Sequence, residues 1–282
     1  MRTLIVSNRL DPFNGNLGDF ASDPSLYFPW LANARRVQLD RLGARIIPTP
    51  SLKSHNVIVG GGGLIGTELA LFRRGFERVL EQTDLSLSVI WGAGFNTHLE
   101  EPADQPHDLY ALLKELDRFA LVGLRDAGLA EARYVPCPSV MMSALTRNYD
   151  IEQKAVVYDN WQFPWKDGDK KLPQMNNNRR FRSSNAKQKA VYEVIAFLGS
   201  AEVVLTSTYH GALWATMLGK KVVVTRPFST KFEHFRYPPV VLEQNESWKD
   251  AAARACVYPR ALHESRQLTE GFAAEVRELF SQ

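Results

Sequence analysis

Cysteine is scarce in this chain: Cys137 and Cys256 are the only two in 282 residues, and they form no CxxC pair. Two distant thiols supply neither a disulfide framework nor a zinc knuckle, so both are expected to be reduced and buried. Long apolar runs are lacking as well. No segment approaches the ~18 uninterrupted apolar residues of a membrane span. The short apolar run in MRTLIVSNRL falls below the ~7–15 residues of a secretory leader's core. A cytoplasmic protein is therefore expected, with the inner face of a membrane as a surface it can visit. An excess of either charge is missing too: Lys plus Arg is 34 against 31 for Asp plus Glu, a net charge of +3. That balance leaves no nucleic-acid footprint, and any positive site must be local. No His, Cys, Asp or Glu cluster shows metal-ligand spacing, so no metal is expected.

What remains is an ordinary globular composition, with 45% hydrophobic and 23% charged residues, in a chain long enough for two domains of ~100–200 residues. Short β-branched runs recur: TLIV, ARIIP, NVIV, LSVIW, FALVGL and RYVPCP, then AVVYDN, EVVLTS and KVVVT. Between them lie stretches such as ELALFRRGFERVLEQ and HDLYALLKELDRF, with apolar residues three and four apart. Strand and helix in alternation predict an α/β protein built on parallel sheets. The rhythm breaks between about residues 160 and 185, a polar stretch holding Trp161, Trp165 and the basic residues Arg179, Arg180 and Arg182. A loop of that length is more often functional or flexible than architectural. The boundary is read just before it, giving two Rossmann-like domains, 1–150 and 151–282. The stretch from Ser247 to Gln282 reads as two helices parted around Val257, Tyr258 and Pro259.

In such sheets ligands bind outside the carboxyl ends of the strands, so the strand-to-helix turns are where chemistry is sought. In the first turn Gly18 permits close backbone approach, while Asn16 and Asp19 can cap a helix. The run Gly60 to Gly63, with Gly61 and Gly62 at its centre, is read as a turn whose N–H groups suit an oxyanion or a close-lying sugar. No GK[ST] follows, so it is not a nucleotide P-loop. Trp91, Gly92, Ala93 and Gly94 form a third turn, one glycine short of a dinucleotide fingerprint. Arg125 closes the strand FALVGL, and Asp126 is placed to start a helix over GLAEA. The most informative turn is Ser207, Thr208, Tyr209, His210 and Gly211, which puts His210 at a helix amino terminus beside hydroxyls, where an anion is favoured. Arg226 and Lys231 follow on the neighbouring loop, with His234 close behind. Trp30, Trp91, Trp161 and Trp165 are read either as core or as platforms for sugar rings.

Taken in order, Asn16, Gly18 and Asp19, then Gly60 to Gly63, Gly92 and Gly94, Arg125 with Asp126, Ser207, His210 and Gly211, and finally Lys231 resemble polysaccharide pyruvyltransferases. The resemblance covers roughly residues 14 to 235, and its specificity lies in the order, since each motif alone is degenerate. It implies a pair of domains facing a cleft, similar to GT-B glycosyltransferases, and transfer of the pyruvyl group of phosphoenolpyruvate to a sugar, commonly as a cyclic ketal. It further implies that Arg125, His210 and Lys231 engage phosphoenolpyruvate, with His210 as acid–base catalyst. Ser207, Thr208, Tyr209, Gly211 and Arg226 complete the expected donor side. Asn16, Gly18, Asp19, Gly61, Gly62, Gly94 and Trp161 are expected on the acceptor side, toward a saccharide or lipid-linked oligosaccharide. Some members of the family carry an arginine just before the His, where this chain has Thr208 and Tyr209; Arg226 or the Arg179 to Arg182 cluster is the expected substitute. Phosphoenolpyruvate is a co-substrate in this reading, and no cofactor is expected. Two alternatives stay open: a nucleotide-sugar glycosyltransferase of the same fold, and a noncatalytic polysaccharide-binding protein.

Overall fold

The computed structural model describes residues 2–7, 16–44, 52–65, 70–96, 109–129, 132–160, 175–177, 187–225, 227 and 229–282. Among these residues, two five-stranded sheets, every pair parallel, account for the strands. The first sheet has the order β2-β1-β3-β4-β5, from β1 (Arg2–Ser7), β2 (Arg35–Gln38), β3 (His55–Ile65), β4 (Ser88–Phe95) and β5 (Leu121–Leu124). The second has the order β10-β9-β8-β6-β7, from β6 (Gln153–Asp159), β7 (Met175–Asn177), β8 (Ala201–Thr206), β9 (Lys221–Val224) and β10 (Val240–Val241). Their central strands are near-continuous Val, Ile and Leu because both faces of a parallel sheet are covered. Leu4, Ile5, Val57, Ile58, Val156 and Val204 are fully buried accordingly.

The helices are α1 (Leu17–Ala21), α2 (Leu39–Gly43), α3 (Ala70–Gln82), α4 (Leu109–Leu116), α5 (Lys187–Gly199), α6 (Tyr209–Met217), α7 (Trp248–Arg254) and α8 (Ala261–Ser281). α6 is buried along its whole length, as its sequence without a polar face requires. Among the described residues, no helix is long and apolar enough to cross a membrane. The fold class read from the sequence is the one observed, α/β with two parallel sheets, and the helices at the C-terminal end stand where the periodicity put them.

Several local expectations need correction. The glycines at 60–63 are the carboxyl half of β3, and Gly92 and Gly94 lie within β4. Neither run is a turn. Gly61 has φ +67° because it passes against Ser22, where a side chain at Gly61 has no room. RYVPCP is not a strand: Tyr134 makes one isolated bridge to Leu124, and a 3₁₀ turn follows at Pro138–Met141. Pro136 and Pro138 lack the N–H groups a ladder needs. Ala127, Gly128 and Leu129 are not helical, because the Asp126 carboxylate accepts from the Phe95 N–H at 2.8 Å instead of capping a new helix. β2 and β7 escape a reading based on apolar runs, RRVQ being half charged and MNN polar. Cys137 is buried as expected, whereas Cys256 is exposed.

Chain path and packing interleave the halves. Cys137, Val140, Met142, Ala144 and Leu145 join the core under α5 and α6, together with Leu17 and Ala21 of α1. In the other direction, Phe272, Ala273 and Val276 of α8 pack on Ile5, Ile58, Val89 and Trp91 of the first sheet. Trp91 is fully buried there, its ring 5.5 Å from Phe272 and 6.4 Å from Trp30, so both tryptophans serve the core. Phe272→Ala removes the ring that fills this layer. Equilibrium urea unfolding is expected to show a loss of about 3–5 kcal/mol.

Candidate active site

In each sheet the strand order reverses once, between β1 and β3 in the first and between β6 and β8 in the second. Such switch points leave a crevice at the carboxyl ends of the strands. A polar cavity of about 110 Å³ lies there, lined by Asn16, Gly18, Asp19, Gly63, Asn96, Arg125, Tyr158, Asn160, Thr208, Tyr209, His210 and Lys231. Every one of these residues stands at, or in the segment after, the carboxyl end of a strand, and both sheets contribute.

Local chemistry sets each side chain. Asn16 caps α1, its Oδ1 accepting from the Gly18 N–H at 3.0 Å. Thr208 caps α6 in the same way, accepting from the Gly211 N–H at 3.0 Å. This fixes His210 in the first turn of a nine-residue helix. Arg125, 3% exposed, lies over the Tyr209 ring with Cζ 3.8 Å from its centroid, a cation–π contact that suits a desolvated guanidinium. Gly94 makes the space for it, since a side chain there would run into Arg125 and Asp126. Ser229 donates to Asn96 Oδ1 at 2.9 Å, and the Ala127 N–H donates to the His234 carbonyl at 2.8 Å. These bonds tie the loops of one sheet to those of the other.

His210 is 7% exposed. Burial, reinforced by the charges of Arg125 and Lys231, holds its imidazole well below the usual histidine range, so it is neutral at pH 7. Burial also pushes the Lys231 ammonium down to about 7, helped by Arg125 and opposed by Asp19. Tyr209 and Asp126 shift upward, burial being the largest cause for each. A guanidinium, an ammonium that titrates at about 7 and a neutral imidazole around one small polar cavity can receive an anion, whose charge favours the protonated lysine. An imidazole there can carry a proton to or from whatever the anion holds.

Of the residues read from sequence, His210, Arg125, Lys231, Thr208, Tyr209, Asn16, Gly18 and Asp19 meet at this cavity. Donor-side and acceptor-side candidates thus share one space. Ser207 is buried behind it, its Oγ accepting from the Asn160 N–H at 2.9 Å and its N–H donating to Asp159 Oδ1 at 3.0 Å. It holds the β6 and β8 loops together. Gly211 packs against Thr206, Thr208 and Tyr158, and Gly61 and Gly62 do not line the cavity. Arg226, Trp161 and the Arg179 to Arg182 cluster lie outside the described residues. Gly63, from the glycine run read in the sequence, also lines the cavity, whereas Asn96, Tyr158 and Asn160 were not singled out there, although each sits at a strand end, the one signal available for them.

The sign of the lysine shift sets a pH dependence. Folded Lys231 titrates at about 7 and the unfolded residue near ~10.4, so between these values the unfolded chain binds the extra proton and stability rises with pH. Urea midpoints of the wild type are expected to climb from about pH 7 to 9, and Lys231→Met to flatten that climb.

Comparisons with known proteins agree with the geometry. No curated protein matches the chain. A solved structure of an uncharacterized protein from Klebsiella pneumoniae is similar at TM-score 0.52 and 16% identity, covering 86% of this chain and 93% of that one. Identity that low speaks to the fold alone. The family model described as polysaccharide pyruvyl transferase matches residues 16–227, from the Asn16 cap through the His210 helix to the loop after β9. The chain belongs to the polysaccharide pyruvyl transferase family.

Proposed function

We propose that the protein transfers the pyruvyl group of phosphoenolpyruvate to a pair of saccharide hydroxyls, on a polysaccharide or its lipid-linked precursor. The observation that carries this reading is the convergence of Arg125, Lys231 and His210 on one small polar cavity. Phosphoenolpyruvate bears a carboxylate and a phosphate, and the buried Arg125 guanidinium with the half-buried Lys231 ammonium, whose proton a bound anion would favour, suits that pair of groups. Arg125 supplies a planar fork for bidentate contact, and Lys231 supplies a point charge.

In the proposed reaction His210 gives a proton to the methylene carbon, and positive charge develops at the carbon bearing the phosphate. One acceptor hydroxyl adds to that carbon and loses its proton. The carbon–oxygen bond to phosphate then breaks, and phosphate leaves with a proton as the monohydrogen ion. The second hydroxyl adds and loses its proton, closing the ketal. Methyl carbon and phosphate together take up the two protons that the hydroxyls release, so the balance closes. Arg125 and Lys231 stabilise the departing phosphate as preorganised charges.

The neutral state of His210 fits this scheme. The cations Arg125 and Lys231 help to hold its proton off, and the bound trianion offsets that repulsion and favours protonation where the acid is needed. The scheme calls on no further cofactor. Work at the inner face of a membrane follows if the acceptor is lipid-linked.

Thermal shift assays test the donor, and turnover tests the acid. Phosphoenolpyruvate is expected to raise the Tm of the wild type by mass action and to leave Arg125→Ala and Lys231→Ala unmoved. His210→Gln is expected to retain binding while kcat falls by about 10²-fold or more. Stabilisation by nucleoside diphosphates in place of phosphoenolpyruvate would replace this reading with a nucleotide-sugar transferase.

A further inference from the structure

A row of hydrogen bonds that the proposed reaction does not use runs behind His210. At its far end the Trp214 indole N–H donates to Ser139 Oγ at 3.0 Å, and an indole nitrogen can only donate. Ser139 directs its own proton to Cys137 Sγ at 3.2 Å. Cys137 Sγ lies 3.1 Å from Ser22 Oγ. At the near end the Ser22 hydroxyl donates to the Gly18 carbonyl at 2.7 Å, and a carbonyl only accepts. Ser22 Oγ therefore faces Cys137 and His210 as an acceptor, with two lone pairs to fill. The Cys137 S–H fills one. His210 Nε2, 3.1 Å away, fills the other, which requires a proton on Nε2.

We infer that Ser22 and Cys137 are positioning residues that hold His210 as the Nε2–H tautomer, leaving Nδ1 to accept and deliver the catalytic proton. The inference rests on the acid–base role proposed for His210. Nδ1 is the ring nitrogen beside Gly18, where a side chain would overlap the imidazole, and Gly18 and His210 both line the cavity. The opposite tautomer would set the Nε2 lone pair against the oxygen of Ser22. To fill that lone pair the Ser22 hydroxyl would have to leave its 2.7 Å bond to the Gly18 carbonyl for the 3.1 Å contact to Nε2, or the Cys137 thiol would have to turn from Ser22 at 3.1 Å to Nε2 at 3.5 Å; either exchange gives up a shorter hydrogen bond for a longer one. With Ser22 1% and Cys137 0% exposed, an unfilled hydrogen-bonding site is costly. A second consequence concerns Gly61. The close pass of β3 against Ser22 at this glycine fixes the serine at the end of α1, so the glycine run acts on the site through Ser22.

The test is a ¹⁵N spectrum of the full chain labelled at histidine, with the His210 signals assigned by their loss in His210→Gln. Above pH 7 the wild type is expected to show a protonated Nε2 and an unprotonated Nδ1. In Ser22→Ala the Nδ1–H form is expected to appear, and kcat to fall about tenfold, the scale of one hydrogen bond, with KM for phosphoenolpyruvate within about twofold. Cys137→Ser keeps a donor and is expected to preserve both tautomer and kcat, whereas Cys137→Ala shifts them in the direction of Ser22→Ala. A wild-type His210 protonated at Nδ1 would overturn the inference, as would a Ser22→Ala protein with unchanged tautomer. Turnover by His210→Gln would overturn the proposed function and not the tautomer, which the wild-type spectrum decides by itself.

Discussion

The burial of Arg125, with the half-buried Lys231 beside it around one small cavity, is the constraint on which the rest of the site depends. Removing a cation from water costs several kcal/mol unless partners compensate, and the Lys231 ammonium is pushed down mainly by that desolvation and further by the charge of Arg125. The surroundings answer in kind. The face of Tyr209 lies against the guanidinium, Asp19 attracts the ammonium, and Asp126 adds a carboxylate whose charge is felt beside Arg125. Because the compensating groups come from both sheets, the charge arrangement exists only where the two halves meet. The interleaved packing, with α1 in the core under α6 and α8 on the first sheet, holds them in that relation.

Much of this was legible in the sequence, and the part that was not has a common cause. Alternating apolar runs and helical spacing identify a parallel α/β chain because both are local patterns. His210, Arg125 and Lys231 were legible because charged or titratable residues just after β-rich runs have no architectural reason to be there. The glycine runs misled for the opposite reason. A glycine needed for close approach inside a strand looks, in one dimension, like a glycine needed for a turn. At Gly61 the neighbour is Ser22, at Gly92 it is Pro138, and at Gly94 it is Arg125. None of these is adjacent in the chain, so local spacing cannot separate the two roles.

The row behind His210 was out of reach for the same reason. Ser22, Cys137 and His210 are separated by 115 and 73 residues, and none of the three sits in a motif that names the others. Cys137 appeared in the sequence only as a thiol with no partner. Its surroundings assign it a direction instead, because Trp214 at one end can only donate and the Gly18 carbonyl at the other can only accept. The proposed direction between those ends rests on the Ser22 proton taking its shortest contact, the Gly18 carbonyl at 2.7 Å.

Protonation and charge then act on different nitrogens of one ring. In the proposed arrangement the hydrogen-bond row behind the ring selects the occupied nitrogen, and burial, reinforced by Arg125 and Lys231, holds a proton off the other. Burial drives both, since in low dielectric an unfilled lone pair and an unbalanced charge are each expensive. A solvated histidine in the same position would exchange tautomers freely and titrate near ~6.5, independent of what lies in the cavity. Burying it beside Arg125 and Lys231 makes its charge sensitive to the charge of a bound ligand, so in the proposed reaction an anion would be at once the group to be protonated and the cause of the acid's protonation.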